Sequence, residues 1–365
     1  MKKRIEYLDS LKAVCILMVV FCHFVLLPAD SAAGNFLMSL SWAAVPCFMM
    51  ISGALMHQST TFTWKKYFSR VAGIYIVLCV WRGIYLLVNL MTGVFSFGKL
   101  QIIQYLFFLK DLEGINTGVM WYMIAFLFVQ TLYPVTYYLF RGRDESGTVP
   151  TGRRILFYMM SVAFAGGILI PSCGWALKLM CRLLGTGNAD FDGLKRIMPF
   201  SSYANMLFYF IAGAFIYEYR RQISDRIRTF RMWLLPVVIL GTGGLMTVKY
   251  FDSGSFRWNN TFLNAGYSHI LTGVVAAGLL LFFMEYEKQM TKINHLLGKY
   301  IGQHTMGIYY LHYIILTVCA VYLYPYFENK YSLALNLAKM AVITAVCVII
   351  TLLLKRIPVL KKLVQ

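Results

Sequence analysis

The sequence predicts an all-α polytopic membrane protein with about ten transmembrane helices and both termini in the cytoplasm. Of its 365 residues, 59% are hydrophobic and only 13% are charged, whereas about 25% are charged in a soluble domain. The apolar residues fall into separate runs of about 20 residues, the length that crosses a hydrocarbon core of about 30 Å. Basic residues gather between alternate runs. The composition excludes a soluble globular enzyme, a disordered chain and a disulfide-stapled miniprotein.

Ten apolar segments are candidate spans. They are 11–29, 36–57, 71–92, 118–140, 155–171, 202–219, 232–248, 264–284, 305–324 and 334–354. The first is predicted to be a retained span rather than a cleaved signal peptide, because its apolar run is long and no small-x-small site closes it. Residues 93–117 and 172–201 are predicted as the longest loops, and the first of them carries a short interfacial helix within 97–109.

The net charge of +19 comes from 34 Lys and Arg against 15 Asp and Glu. With the N-terminus inside, 23 of the 34 lie in cytoplasmic segments and nine in outer loops. Two more, Arg82 and Lys339, lie inside spans. Positive residues concentrate in this way on the cytoplasmic side of membrane proteins. We therefore expect both termini inside, an even number of spans and no nucleic-acid partner.

We expect residues 1–365 to form one membrane domain without an appended soluble domain, because no polar stretch is long enough for one. Six of the eight cysteines lie in spans, where they act as small apolar side chains. Cys173 and Cys181 share one outer loop and either pair or stay free. Neither CxxC nor HExxH occurs, so the sequence predicts no metal site and no permanently bound cofactor.

Ionisable residues inside spans are costly and indicate function. They are His23, Arg82, His312 and Lys339. Arg82 keeps its charge, yet the spans offer almost no acid to pair with it, and Glu218 at a span's edge is one option. Arg82 either supports packing or binds an anionic group. Lys339 lies near the outer end of its span, where its ammonium can reach the interface.

One face of the first span combines three polar residues. Lys12 and His23 are eleven residues apart, about 20° more than three full helical turns, and Asp9 shares their face. His23 lies about 16 Å deeper than Lys12, near the middle of the hydrocarbon core if Lys12 marks its inner boundary. The face either carries chemistry or holds a structural histidine that is hydrogen-bonded across helices.

The sequence around this face, IEYLDSLKAVCILMVVFCHF, resembles the opening of the acyltransferase-3 family of integral-membrane acyltransferases. The family pattern is Asp, a small residue, Leu, Arg, an apolar run and a His eleven residues after the Arg. Asp9, Leu11 and His23 match this pattern. Lys12 stands in place of the arginine, so the charge is kept but the planar guanidinium fork is not.

Five further segments resemble family motifs and follow in the family's order. They are VPCFMMISGALM (45–56, with Ser52), TFTWKKYFSRVAGIY (61–75, with Lys65, Lys66 and Arg70), VMWYMIAFLFVQTLYPV (119–135, with Trp121 and Tyr122), FIAGAFIY (210–217) and IGQHTMGIYYLH (301–312, with Tyr309 and His312). The family often has Arg-x-x-Arg in the second segment, and Gly73 stands where its second arginine would be.

The resemblance implies a membrane O-acyltransferase. The positive-inside bias and the absence of long appendages suggest a bacterial inner (plasma) membrane. The enzyme would move an acyl group from cytoplasmic acyl-CoA, the co-substrate, to a hydroxyl of an extracytoplasmic or lipid-linked glycan. Acetyl is the favoured group, and succinyl is an alternative whose carboxylate Arg82 could accommodate. The acceptor and the oligomeric state stay open. The predicted substrate-binding residues are Lys65, Lys66, Arg70, Arg82, Ser52, Trp121, Tyr122, Tyr309 and His312, and the basic residues near the inner face, with Lys12, would hold the phosphates of CoA.

Two mechanisms fit the predicted catalytic residues His23, Asp9 and Lys12. A neutral His23 acts as general base on the acceptor hydroxyl, or it carries the acyl group as an acyl-imidazole. Asp9 would orient Lys12, three residues further on, and His312 either assists or packs in the core. The rival classes are a transporter or flippase for a charged lipid or glycan and a sensory or structural membrane protein. The absence of a repeat between 1–180 and 181–365 disfavours a transporter.

Overall fold

A computed structural model describes residues 5–23, 31–59, 61–93, 97–113, 115, 119–142, 151–186, 192–199, 203–253, 266–289, 292–322 and 332–364. Within these ranges the regular structure is helical, and no β-strand occurs. The predicted all-α class is thus confirmed.

Each segment that the apolar runs predicted contains α-helix, and some shorter helices lie between these segments. In chain order the α-helices are α1 (Glu6–His23), α2 (Ala32–Ser41), α3 (Ala44–Met56), α4 (Trp64–Thr92), α5 (Lys99–Leu106), α6 (Trp121–Arg141), α7 (Thr151–Phe164), α8 (Ile170–Leu183), α9 (Asp192–Ile197), α10 (Ala204–Glu218), α11 (Arg220–Ile227), α12 (Leu234–Ser253), α13 (Ile270–Glu285), α14 (Lys292–Leu297), α15 (Thr305–Tyr322), α16 (Leu333–Leu354) and α17 (Pro358–Lys361).

Six helical stretches are long and apolar enough to cross a membrane. They are Ala32–Met56, Trp64–Thr92, Trp121–Arg141, Thr151–Leu183, Arg231–Phe251 and Leu333–Leu354. Three shorter apolar helices are Ala204–Glu218, Ile270–Glu285 and Thr305–Cys319, and α1 has 18 residues with charged side chains in its first turns. These helices confirm an all-α membrane protein, whereas the number of ten spans and the cytoplasmic termini stay predictions.

The predicted outer loop 172–201 is wrong in its first part. A π-helical segment, Ala165–Leu169, continues α7 into α8, so the helix runs on to Leu183. Gly167 lies within this continuous helix rather than at a break. A Cβ there would lie 2.3 Å from the backbone nitrogen of Asn205, so the glycine permits close packing of two helices. Cys173 and Cys181 both lie on α8 as free thiols.

The other predicted loop contains the short helix that was expected in it. Gly98 precedes α5, and its N–H donates to Oε1 of Gln101 at 2.8 Å. This side chain satisfies one of the backbone donors that the start of a helix leaves open. The prediction of a short helix within 97–109 is confirmed.

The chain groups into two compact units. The first unit comprises Met1–Val19, Leu27–Thr61 and Phe128–Gln303, and the second unit comprises Val20–Leu26, Phe62–Leu127 and His304–Gln365. The expectation that residues 1–365 form one membrane domain stays a prediction.

The core of the first unit is a close crossing of α3 and α10. A Cβ on Gly53 would lie 1.8 Å from the carbonyl oxygen of Phe210, and one on Gly213 would lie 2.0 Å from that of Met50. Small residues permit such backbone contact between helices in membranes, where dispersion rather than water exclusion drives association. The two glycines are therefore required by packing.

The second unit is built around α15, which packs against α4 and α16. The ring of Trp81 stacks on Tyr310 with centroids 4.7 Å apart, and its Nε1–H donates to the carbonyl oxygen of Leu363 at 3.0 Å. The hydroxyl of Tyr85 donates to the carbonyl oxygen of Tyr310 at 2.9 Å. These contacts fix α4 against the helix that carries His312.

Candidate active site

The charged start of α1 has the ion pair that its spacing predicts. Nζ of Lys12 donates to Oδ1 of Asp9 at 2.8 Å, and both side chains are largely buried. Ser10 donates to the carbonyl oxygen of Asn294 at 3.1 Å, and Gly302 lies against the Asp9 backbone, where a Cβ would come within 2.0 Å of the oxygen. The predicted contact between Asp9 and Lys12 is thus confirmed.

Two histidines meet in the second unit. The ring centroids of His23 and His312 are 5.3 Å apart, and the rings are inclined at 41°. His23 is exposed at the end of α1, whereas His312 on α15 is fully buried. The ring of Tyr313 meets that of His23 edge-on at 5.7 Å. The structure therefore joins two of the predicted site residues into a pair.

The hydrogen bond of His312 settles which of its nitrogens carries the proton. Nδ1 lies 3.0 Å from the carbonyl oxygen of Ile308, and because a carbonyl only accepts, Nδ1 must be the donor. In the neutral ring Nε2 then has the lone pair. Nε2 is buried and has no hydrogen-bond partner within the described ranges. A buried acceptor without a partner is costly, so Nε2 is suited to receive a hydrogen bond from a substrate hydroxyl, a water or the His23 ring.

Tyrosines continue the site beside His312. The ring of Tyr309 lies 6.2 Å from that of His312 and 5.6 Å from that of Tyr122. The Tyr309 hydroxyl donates to the carbonyl oxygen of Val119. Trp121 precedes Tyr122 and meets it edge-on at 6.4 Å. The predicted residues Trp121, Tyr122, Tyr309 and His312 thus form one chain of contacts.

Arg82 has an acidic partner that the sequence analysis did not identify. Its Nη2 donates to Oδ1 of Asp111 at 2.7 Å. The guanidinium carbon lies over the rings of Tyr105, at 4.0 Å, and Phe108, at 4.1 Å from the centroid. Arg82 is 3% exposed, whereas the Asp111 side chain is 84% exposed.

Glu218, the option considered for Arg82, has other partners. Its Oε1 lies 3.0 Å from Nη2 of Arg153, and its Oε2 lies 3.7 Å from Nη1 of Arg141. All three residues belong to the first unit. The pairing of Glu218 with Arg82 is therefore wrong, because Arg153 and Arg141 hold the carboxylate of Glu218. Asp111 pairs with Arg82 instead.

The remaining predicted binding residues lie apart from these contacts. Lys65, Lys66 and Arg70 are exposed on the first two turns of α4. They belong to the second unit and Lys12 to the first, so their convergence on one donor stays a prediction. Ser52 is half-buried in the first unit, and its hydroxyl donates to the carbonyl oxygen of Phe48 at 2.8 Å.

Sequence reasoning missed Tyr313, Asp111 and the aromatic rings around Arg82. Tyr313 directly follows His312, the last residue of the motif at 301–312. Its position in the sequence could therefore have identified it as a candidate site residue. Asp111 is one of two acids in the stretch after α5. Its contact with Arg82 depends on the path of the chain between them, which no local pattern reveals.

The comparisons agree with the motifs. A family model described as an acyltransferase domain, Acyl_transf_3, matches residues 5–356. The match includes α1 with both ends of its polar face, the Arg82 site and α15 with His312. No curated protein and no solved structure matches the chain. The chain belongs to the acyltransferase-3 family of membrane acyltransferases.

Proposed function

We propose that the protein moves an acyl group, with acetyl favoured, from cytoplasmic acyl-CoA to a hydroxyl of an extracytoplasmic or lipid-linked glycan. The histidine pair, His23 and His312, would move the proton. The single observation that carries this proposal is the 5.3 Å separation of the two rings, combined with the unpartnered Nε2 of His312. At this separation a nitrogen of one ring can form a hydrogen bond with a nitrogen of the other.

In the favoured mechanism His23 is the general base. The hydroxyl of the acceptor gives its proton to the imidazole as its oxygen attacks the thioester carbonyl. The carbon–sulfur bond then breaks, and the CoA sulfur leaves with that proton. His312 accepts a hydrogen bond from the His23 ring through Nε2, which orients the second nitrogen of His23 toward the hydroxyl. A group that orients the base is a recurrent part of such sites.

In the alternative mechanism His23 attacks the thioester and holds the acyl group as an acyl-imidazole. CoA leaves, and the acceptor hydroxyl then displaces the imidazole while His312 takes its proton. Intact-mass measurement after acetyl-CoA is added without an acceptor distinguishes the two mechanisms. An added acetyl group that depends on His23 supports the acyl carrier.

The donor side of the proposal relies on the start of α4. Lys65, Lys66 and Arg70 are exposed there, in the segment that the charge distribution predicts to be cytoplasmic. CoA is a polyanion, and charge-assisted hydrogen bonds to its phosphates are strong. Arg70 can bind a phosphate with two parallel hydrogen bonds, as the planar guanidinium allows.

Acetyl-CoA binding and thioester cleavage test the function directly. The full chain in detergent would be titrated with acetyl-CoA, and its thermal stability followed. A ligand at 100 times its Kd stabilises a fold by about 2.7 kcal/mol, and Arg70→Gln should weaken the effect. His23→Ala should bind acetyl-CoA but lose about 10²–10⁴-fold in transfer rate. Normal transfer by a well-folded His23→Ala protein, or no stabilisation at millimolar acetyl-CoA, would refute the proposal.

A further inference from the structure

The Arg82 site is built to hold a charged group firmly. Two aromatic rings, of Tyr105 and Phe108, clamp the guanidinium at 4.0 and 4.1 Å. Such stacking orients the cation and lowers the cost of removing it from water. The donor edges of the guanidinium are thereby left to make hydrogen bonds.

Two polar atoms of the site are buried and make no hydrogen bond of normal geometry within the described ranges, namely Nε of Arg82 and the hydroxyl of Tyr105. The Tyr105 hydroxyl interacts with the Arg82 guanidinium, but because a guanidinium only donates, the hydroxyl proton stays available. Both residues are almost fully buried, at 3% and 1% exposure. Burial raises the pKa of Tyr105 to about 12, so its hydroxyl keeps its proton and can donate. The site thus has two donors ready for a further acceptor atom.

Asp111 engages only part of the hydrogen-bonding capacity of the Arg82 guanidinium. One carboxylate oxygen contacts Nη2, at 2.7 Å, while a guanidinium can give two parallel hydrogen bonds to one carboxylate or phosphate. The Asp111 side chain is 84% exposed, and ion pairs with such an exposed partner are weak. A second anion that also engages Nε would therefore compete with it effectively.

The site lies next to the histidine pair. Tyr85 is one helical turn beyond Arg82 on α4, and its ring stacks on Tyr313 with centroids 6.2 Å apart. Tyr313 in turn contacts His23 at 5.7 Å. The rings of Tyr85 and Tyr313 thus connect the helix that carries Arg82 with His23.

The residues around Arg82 favour the acceptor over the donor. Arg82 itself is at the middle of the predicted span 71–92. Under the predicted topology the residues that contact it, Tyr105, Phe108 and Asp111, belong to the outer loop 93–117. The acceptor is expected on that side, and the acyl-CoA on the other.

We propose that Arg82 and Tyr105 bind an oxyanion, a carboxylate or phosphate, carried by the acceptor, and that Asp111 occupies the site until the acceptor displaces it. This inference rests on the proposed function, which it deepens by assigning an anionic acceptor. The oxyanion belongs to an acidic sugar or to the phosphate of a phosphorylated sugar. The carbohydrate hydroxyl next to it is then presented to His23.

Soluble sugars of matched size test the site. The full chain in detergent is titrated with glucuronate, glucose 1-phosphate and neutral glucose, and thermal stability is followed. We expect stabilisation by at least one anionic sugar and none by glucose. Asp111→Asn should bind that sugar about two- to fivefold more tightly, since it removes an exposed competitor, and Arg82→Gln should abolish binding. Glu113→Gln, an exposed acid two residues away, is the matched control and should leave the affinity unchanged.

Each outcome decides the inference. Stabilisation by glucuronate alone assigns a carboxylate, by glucose 1-phosphate alone a phosphate, and by both a general oxyanion site. Equal stabilisation by glucose, equal tightening in Asp111→Asn and Glu113→Gln, or no tightening in Asp111→Asn would overturn it. If Arg82→Gln does not fold, the two acid variants decide. His23-dependent cleavage of acetyl-CoA in the same preparations shows separately whether the proposed function stands.

Discussion

Replacing His23 and His312 singly and together tests whether they act as one unit. The variants are His23→Ala, His312→Asn and the double variant. Asparagine at 312 can still donate to the carbonyl of Ile308, which His312 now contacts through Nδ1 at 3.0 Å, but it places nothing at the position of Nε2. The change thus removes the open lone pair and keeps the local hydrogen bond.

The expected losses of rate follow from the roles and the separation of the two histidines. Loss of a general base costs about 10²–10⁴-fold in rate, or about 2.7–5.4 kcal/mol in activation free energy. A hydrogen bond to a group that becomes charged contributes about 1.5–3 kcal/mol, so His312→Asn should lower kcat by about 10–150-fold. The rings are 5.3 Å apart, closer than the 7–10 Å beyond which effects add. The double variant should therefore be no slower than His23→Ala.

The assay is the rate of acetyl-CoA thioester cleavage in the presence of acceptor membranes, with melting temperature as the test of folding. His57→Asn is the matched control. His57 is buried and contacts the carbonyl of Gly53 at 3.0 Å through Nδ1, but its Nε2 already contacts Oγ1 of Thr136 at 3.2 Å. We expect this variant to lose stability without the loss of kcat that His312→Asn shows.

Additive losses would refute the reasoning. If the double variant is slower than His23→Ala by the full factor measured for His312→Asn, the two histidines act independently. A His312→Asn protein with wild-type kcat would show that the buried ring only packs. A lower melting temperature with unchanged kcat points to the same conclusion.

Two further predictions concern packing and the donor end of α1. Gly53→Ala should lower the stability of the protein by about 3 kcal/mol, the upper end of the usual cost of overpacking, because its Cβ would lie 1.8 Å from the carbonyl oxygen of Phe210. Gly73→Ala, with no atom within 4 Å of the new Cβ, should raise the stability by about 0.5–1 kcal/mol. Equal melting temperatures for the two variants would contradict this. Lys12→Gln should raise KM for acetyl-CoA more than Asp9→Asn does, since only the first removes the cation; steady-state kinetics at two salt concentrations would show it, and the reverse order would count against a phosphate contact.

Local features of the fold and the site were predictable from the sequence. The helix period placed Lys12 on the face of Asp9, and their 2.8 Å contact requires only one helical turn. Apolar runs located the helices because the cost of exposing backbone polar groups to lipid leaves few alternatives. The extension of α7 into α8 was missed, because Gly167, which would normally weaken a helix, here lies against the backbone of α10.

Contacts between distant segments were not predictable. His23 and His312 each stood out as an ionisable residue in a span, but their meeting depends on how α15 packs within the second unit. Arg82 could be recognised as a charge in need of a partner. The choice of Asp111 depends on the turn after α5, where Phe108 adopts a positive φ of 60°, and no period or motif encodes that turn.

The aromatic anchors around α15 have a consequence for sequence divergence. Trp81 donates to the carbonyl oxygen of Leu363, and Tyr309 donates to that of Val119. Every amino acid has a main-chain carbonyl, so mutation of Leu363 or Val119 leaves the acceptor atom in place. Only the aromatic donor of each contact is constrained by chemistry. Relatives can therefore drift in sequence on one side of these contacts while the histidine-bearing helix keeps its position.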